Sequence, residues 1–198
     1  MTQVQGATEN LISVTSITPH AFKEWALVCN SMLEGATSLI FRKGGIAEGR
    51  DGFRFRHESF FLFPTFFHEQ VERLRLDPRT TVGSENSDSV ALAGYAQVEF
   101  TAWITDLAIL EPLSDLHILK PEVLEQRYAY DEPKGLHLAM VRVFRISPVW
   151  VLPYQKSFGG CRSWIELPPP PHLDLTPVLG ENEHNLRRER VRAAAAEK

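Results

Sequence analysis

Apolar positions along this chain change period several times, and the changes mark out about six strands and three helices. The clearest helical signal spans 18–34. Thr18 is a good N-cap, and Pro19 fits a first helical turn, where its missing N–H would have no partner anyway. Phe22, Trp25, Ala26, Cys29, Met32 and Leu33 then recur at helical spacing, and Gly35 suits the left-handed cap that ends a helix. Ser38-Leu39-Ile40-Phe41-Arg42 reads as a short strand. Phe53-Arg54-Phe55-Arg56 alternates with the period of a half-buried strand. Phe60-Phe61-Leu62-Phe63 is apolar at every position, which predicts a strand buried on both faces and ended by Pro64. A short helix over 68–76, stopped by Asp77-Pro78, leads into a polar loop over 79–89. Strands are predicted over 93–104, 136–146, 149–152 and 163–167, with a helix opened by Pro121 and running to Arg127.

These elements do not alternate strand with helix, which argues against a doubly wound parallel sheet. They predict an α+β fold: a mixed, partly closed β-barrel with helices packed at its ends. Residues 1–17 form an N-terminal arm, 18–167 a single domain, and 168–198 a Pro-rich linker with a charged tail. In that tail Arg187, Arg188, Arg190, Arg192 and Lys198 mix with Glu181, Glu183, Glu189 and Glu197, while Leu186 and Val191 make no apolar stripe. It is therefore expected to lie in solvent, and its removal to cost little stability.

Composition narrows the function classes. Of 198 residues 43% are hydrophobic, enough to bury one sizeable core. The net charge of -4 disfavours general coating of phosphate backbones, although a local basic patch is compatible with it. Cys29 and Cys161 are too few for a disulfide framework, so a reducing compartment is expected. No basic apolar leader and no membrane-length apolar run is visible, and a cytoplasmic location follows by elimination.

Several enzyme signatures are missing. There is no phosphate-binding Gly-Lys-Ser/Thr loop and no dinucleotide fingerprint. His68-Glu69 begins like a zinc-protease helix, but position 72 holds Glu rather than a second His. The acid-x-Lys candidate for a nuclease core, Glu132-Pro133-Lys134, has a proline where a central strand would run. No metal or cofactor is expected. Two catalytic candidates remain. Cys161 follows Gly159-Gly160 and precedes Arg162, and an adjacent cation lowers a thiol's pKa; alternatively it is a small buried residue that starts a strand. Glu99 lies mid-strand near Phe100 and Trp103, where burial suits a carboxyl to acid–base work; alternatively it faces solvent or pairs with an arginine. A basic hairpin over 42–58 carries five cations and three acids. Its alternating Arg54 and Arg56 would present two guanidiniums on one face, backed by Phe53 and Phe55.

Taken together, Ala21-Phe22-Lys23-Glu24-Trp25-Ala26, Gly35, Phe41-Arg42-Lys43-Gly44-Gly45-Ile46, Phe60-Phe61-Leu62-Phe63-Pro64-Thr65, Gly159-Gly160-Cys161-Arg162-Ser163-Trp164 and Glu166-Leu167 resemble an uncharacterised prokaryotic family, domain of unknown function 1802. The resemblance covers roughly residues 20–167 and implies no established activity. A helix, Gly35 and then Arg42 seven residues on are also similar to the ASCH branch of the PUA-like fold, whose pattern is Gly-x-Lys-x-x-Glu-x-Arg. Gly35 and Arg42 match it, whereas Thr37 and Ile40 stand in place of the Lys and Glu. That likeness implies a small β-barrel that binds RNA or a modified nucleobase in a cleft.

The expected site follows from both readings. Arg42, Lys43, Thr65 and one of Phe66 or Phe67 should line a single pocket for RNA, DNA or a nucleotide. Arg42 would clamp a phosphate through its planar fork, and a ring would stack on a base. The competing reading has Arg42 pair with a carboxylate such as Glu99 and merely close the barrel. A hydrolase using Cys161 or a carboxylate, and a protein-interaction domain, are the alternative functions.

Overall fold

A computed structural model describes residues 17–43, 53–77, 79–81 and 88–196. The chain runs β1 (His20–Trp25), α1 (Ala26–Leu33), β2 (Leu39–Arg42), β3 (Ser59–Thr65), β4 (Ser89–Ile104), α2 (Pro121–Ala129), β5 (Leu136–Pro153), β6 (Trp164–Glu166), β7 (Asp174–Pro177) and α3 (Glu181–Ala196). Short 3-10 turns occupy His68–Arg73 and Leu107–Leu116. The strands form one sheet in the order β2-β5-β4-β3-β1-β6, with β7 added to β5. Only β1 and β3 are parallel; the other pairs are antiparallel. No helix among the described residues is long and apolar enough to cross a membrane.

The α+β class and the mixed sheet agree with the sequence pattern, but the partly closed barrel does not. β2 and β6 end the path without pairing with each other, so the sheet is open. The reason lies in its two apolar faces. Phe22, Phe60 and Leu62 join a core with α1 and the 107–116 turn, while Ala21, Phe61, Phe63, Tyr95 and Phe144 join a second core on the other side. A sheet that is apolar on both faces needs a covering layer on each, rather than one enclosed interior.

Central burial also explains the largest local correction. The first part of the predicted 18–34 helix is strand β1, and Ala21, Phe22, Lys23 and Glu24 are all buried in it. A strand buried on both faces loses its two-residue alternation, so the spacing of Phe22, Trp25 and Ala26 imitates a helix that starts only at Ala26. Pro64 does not end β3; it pairs with Glu24 inside it. The two strands predicted over 136–152 are one, and 53–56 joins no ladder. The Gly44-Gly45 and Gly49–Gly52 turns and residues 1–16 of the arm lie outside the described residues.

Beyond residue 167 the expectation of a solvated tail fails. β7 pairs with Phe144–Ser147 of β5, immediately beyond the stretch His137–Met140 that pairs with β2. α3 then packs along the 107–116 turn with Val191 fully buried. Arg187 donates to the Gly35 carbonyl at 2.7 Å, Arg188 to Glu99 at 3.2 Å, and Arg190 to both Asp115 oxygens at 2.7 and 2.9 Å. The helix shows no apolar stripe because polar contacts carry much of its docking.

Candidate functional site

Three strand ends and one helix converge on a cleft of about 420 Å³. The parallel register of β1 and β3 sets Trp25 beside Thr65 at their C-terminal ends, and β2 delivers Arg42. α2 supplies Arg127 and, just past its end, Tyr130; the loop before β6 supplies Gly160, Cys161, Arg162 and Ser163. Lys23, Lys43 and Arg73 complete a set of six cations. No carboxylate is among the described residues that line the cleft.

Four of the six cations are held by local contacts. Lys23 is 9% exposed and donates from Nζ to the Gly160 carbonyl at 3.0 Å, tying β1 to the 160–163 loop. Gly160 sits at φ +79°, a backbone conformation that favours glycine. Arg42 donates to the Lys23 carbonyl, rests 4.9 Å above the Phe22 ring and lies 3.5 Å from the Glu24 carboxylate. Glu24 is only 2% exposed, and its other oxygen accepts from the Trp25 amide at 2.8 Å. Arg127 donates to the Phe41 carbonyl at 2.8 Å and stacks 4.8 Å over Trp25. Burial, aided by the nearby charges of Arg42 and Arg73 and opposed by Glu24, brings its pKa down to about 10, so it remains a cation at neutral pH. Lys43 donates to the Pro133 carbonyl and lies 5.0 Å over the Trp103 ring. Most of these bonds use carbonyl acceptors, which fix the side chains without neutralising their charge. Thr65 donates to the Glu24 carbonyl at 3.0 Å, and buried Gln70 donates to the Thr65 and Phe67 carbonyls while accepting from the Leu27 amide.

Of the residues singled out in the sequence, Arg42, Lys43 and Thr65 meet in this cleft. Phe66 and Phe67 do not line it; Phe67 packs edge-on against Trp25 at 5.2 Å, behind the lining. Cys161 does line it and is exposed, which corrects the reading of a buried strand residue, because β6 begins only at Trp164. Cys29 is buried, and burial raises its thiol pKa well above the usual value. Glu99 lies elsewhere, paired with Arg188 and 3.7 Å from His184 Nε2. It is not the partner of Arg42, a role that belongs to Glu24. Sequence reasoning missed Lys23, Glu24, Arg73, Arg127 and Tyr130. The legible signal was the Lys23-Glu24 pair, two charges inside an otherwise apolar run. Among the described residues no group of three or more His, Cys, Asp or Glu side chains is arranged to hold a metal ion.

A search of curated proteins finds no match. Among solved structures, the crystal structure of ASCH from Zymomonas mobilis matches 86% of this chain and 92% of its own, at 10% identity and a TM-score of 0.41. A serine-to-alanine mutant of that protein matches 86% and 94%, at 12% identity and a TM-score of 0.39. Likeness at this level carries no argument about function. A family model matches residues 21–190, a span that contains the sheet apart from His20, the cleft and most of α3. The chain therefore belongs to the family described as Domain of unknown function (DUF1802).

Proposed function

We propose that the cleft binds a phosphate-bearing ligand, a nucleotide or a segment of RNA or DNA, and that the protein is a binding module. The observation that supports this reading is the convergence of six cations on one concave site in a chain of net charge -4. Concentrating like charges costs energy, and a bound polyanion offsets that cost while releasing its own counterions. Arg42 and Arg127 present planar guanidiniums suited to phosphate oxygens. Trp25 and Tyr130 bring aromatic surface to the same lining.

Calorimetric titration with nucleoside 5′-monophosphates, short oligonucleotides and inorganic phosphate tests the reading. Replacing Lys43 and Arg162 together by Ala, both away from the buried Glu24 pair, should weaken binding about tenfold or more and lower the melting temperature by only a few degrees at most. Absence of binding by the wild type to all three probes would overturn it.

The exposure of Cys161 on the same lining favours a second reading, a hydrolase with a thiol nucleophile at the anion site. Stoichiometric alkylation of Cys161 by iodoacetamide at neutral pH, with turnover of a phosphate or acyl ester lost in Cys161→Ser, would establish it. An inert Cys161 leaves the binding module.

A further inference from the structure

The segment 53–57 packs on residues beside the cleft without forming part of its lining. Its burial alternates: Phe53 is buried and Phe55 half-buried, while Arg54 and Arg56 are exposed. Phe53 and Phe55 pack on Phe22 at 6.0 and 5.9 Å, and the same Phe22 ring carries Arg42. The Arg54 carbonyl accepts the Trp164 indole N–H at 3.2 Å, one residue beyond Ser163 of the cleft lining. His137, the register partner of Arg42, lies 5.5 Å from Phe53 and 4.7 Å from Trp103. The charges of Lys43 and Arg54 both bear on that imidazole. Cleft and segment therefore form one continuous basic tract, joined through Phe22, Trp164 and His137.

We propose that this tract is a track for a single-stranded nucleic acid several nucleotides long: the cleft holds one nucleotide, and Arg54 and Arg56 take the phosphates that follow. The inference rests on the phosphate-binding reading of the cleft. The alternating burial places Arg54 and Arg56 on one exposed face, and two residues of a strand-like chain span roughly 6.6 Å, which suits neighbouring phosphates on a stretched strand. Tyr130, 60% exposed at the cleft, offers a ring on which a base stacks, and stacking is worth roughly 1–3 kcal/mol per base. An acidic peptide would match the charge and gain nothing from that ring.

The test compares the full chain with an Arg54→Ala/Arg56→Ala variant, whose replaced side chains are exposed. The probes are uridine 5′-monophosphate, a labelled single-stranded oligouridylate of about ten nucleotides, and poly-glutamate. The expected result is that the oligonucleotide binds the wild type at least about tenfold more tightly than the mononucleotide. The variant should lose that gain, keep its mononucleotide affinity, and show a salt slope of log K shallower by about 1.4, two phosphate contacts at roughly 0.7 each. An oligonucleotide that binds no better than the mononucleotide would overturn the track and leave the cleft reading standing. Poly-glutamate bound as tightly as the oligonucleotide would overturn it in favour of an acidic protein partner. Failure of every nucleotide probe would overturn the cleft reading and the track together.

Discussion

Mild acid should destabilise this protein through His117. The residue is 5% exposed, edge-on to Phe41 at 5.1 Å, and its Nδ1 accepts from the Leu119 amide at 3.2 Å. Burial, then the Arg75 charge, lowers its pKa from the usual 6.5 to about 4, with Asp115 opposing. Because the folded pKa lies below the unfolded one, the unfolded chain binds more protons between those values. The contribution is therefore complete above the unfolded pKa and is lost as pH falls towards the folded one. A shift of about 2.5 units at 1.36 kcal/mol each corresponds to about 3 kcal/mol, of which about 2 kcal/mol is gone by about pH 5. His117→Asn removes the titration and keeps an acceptor near the Nδ1 position. The variant should start out less stable, having lost the contact with Phe41, and be less sensitive to pH. Denaturant unfolding across that range should bring the two stabilities together by about 2 kcal/mol on going from neutral to about pH 5. Parallel pH profiles for wild type and variant would refute the reasoning.

Arg42→Ala leaves Glu24 buried without its cation and should cost about 3 kcal/mol; adding Glu24→Gln should restore part of the loss, as read by thermal unfolding. Truncation before α3 removes the buried Val191, uncovers the core it packs on and frees Glu99 and Asp115, so a loss of about 2–4 kcal/mol and a melting temperature lower by several degrees are expected. Gly135→Ala should cost about 1–3 kcal/mol or more in the same assay, because a Cβ there would sit 2.4 Å from the Trp103 ring on a backbone with φ +149°.

The central strands β3, β4 and β5 are legible in sequence, and β1 beside them is less so. Phe60 to Phe63 announces a two-sided strand by being apolar throughout, and 93–104 and 136–152 fall where the pattern places them. β1 is disguised because its neighbours β3 and β6 and the layers above and below bury its four inner positions, polar Lys23 and Glu24 included. The cleft was half readable. Arg42 and Lys43 lie at the end of β2 and Thr65 at the end of β3, close in sequence, although β5 and β4 separate the two strands in the sheet. Arg127 and Tyr130 arrive from a helix some 86 residues beyond Phe41, whose carbonyl Arg127 holds, and no period or motif encodes that meeting. Phe66 and Phe67 carry the right chemistry for stacking, but the ring position at the cleft belongs to Tyr130.

The end-to-end placement of β7 and β2 along β5 has a consequence for biosynthesis. Leu39–Arg42 leaves the ribosome early, but Phe144–Ser147 has no partner on that side until Asp174–Pro177 has been made. Until then the nascent chain presents an unpaired edge next to the apolar patch that Leu175 covers in the finished protein. Transcripts truncated at the polyproline run should therefore yield a chain that contains every cleft residue yet self-associates through β5, and is cleared or aggregated before its site can be used.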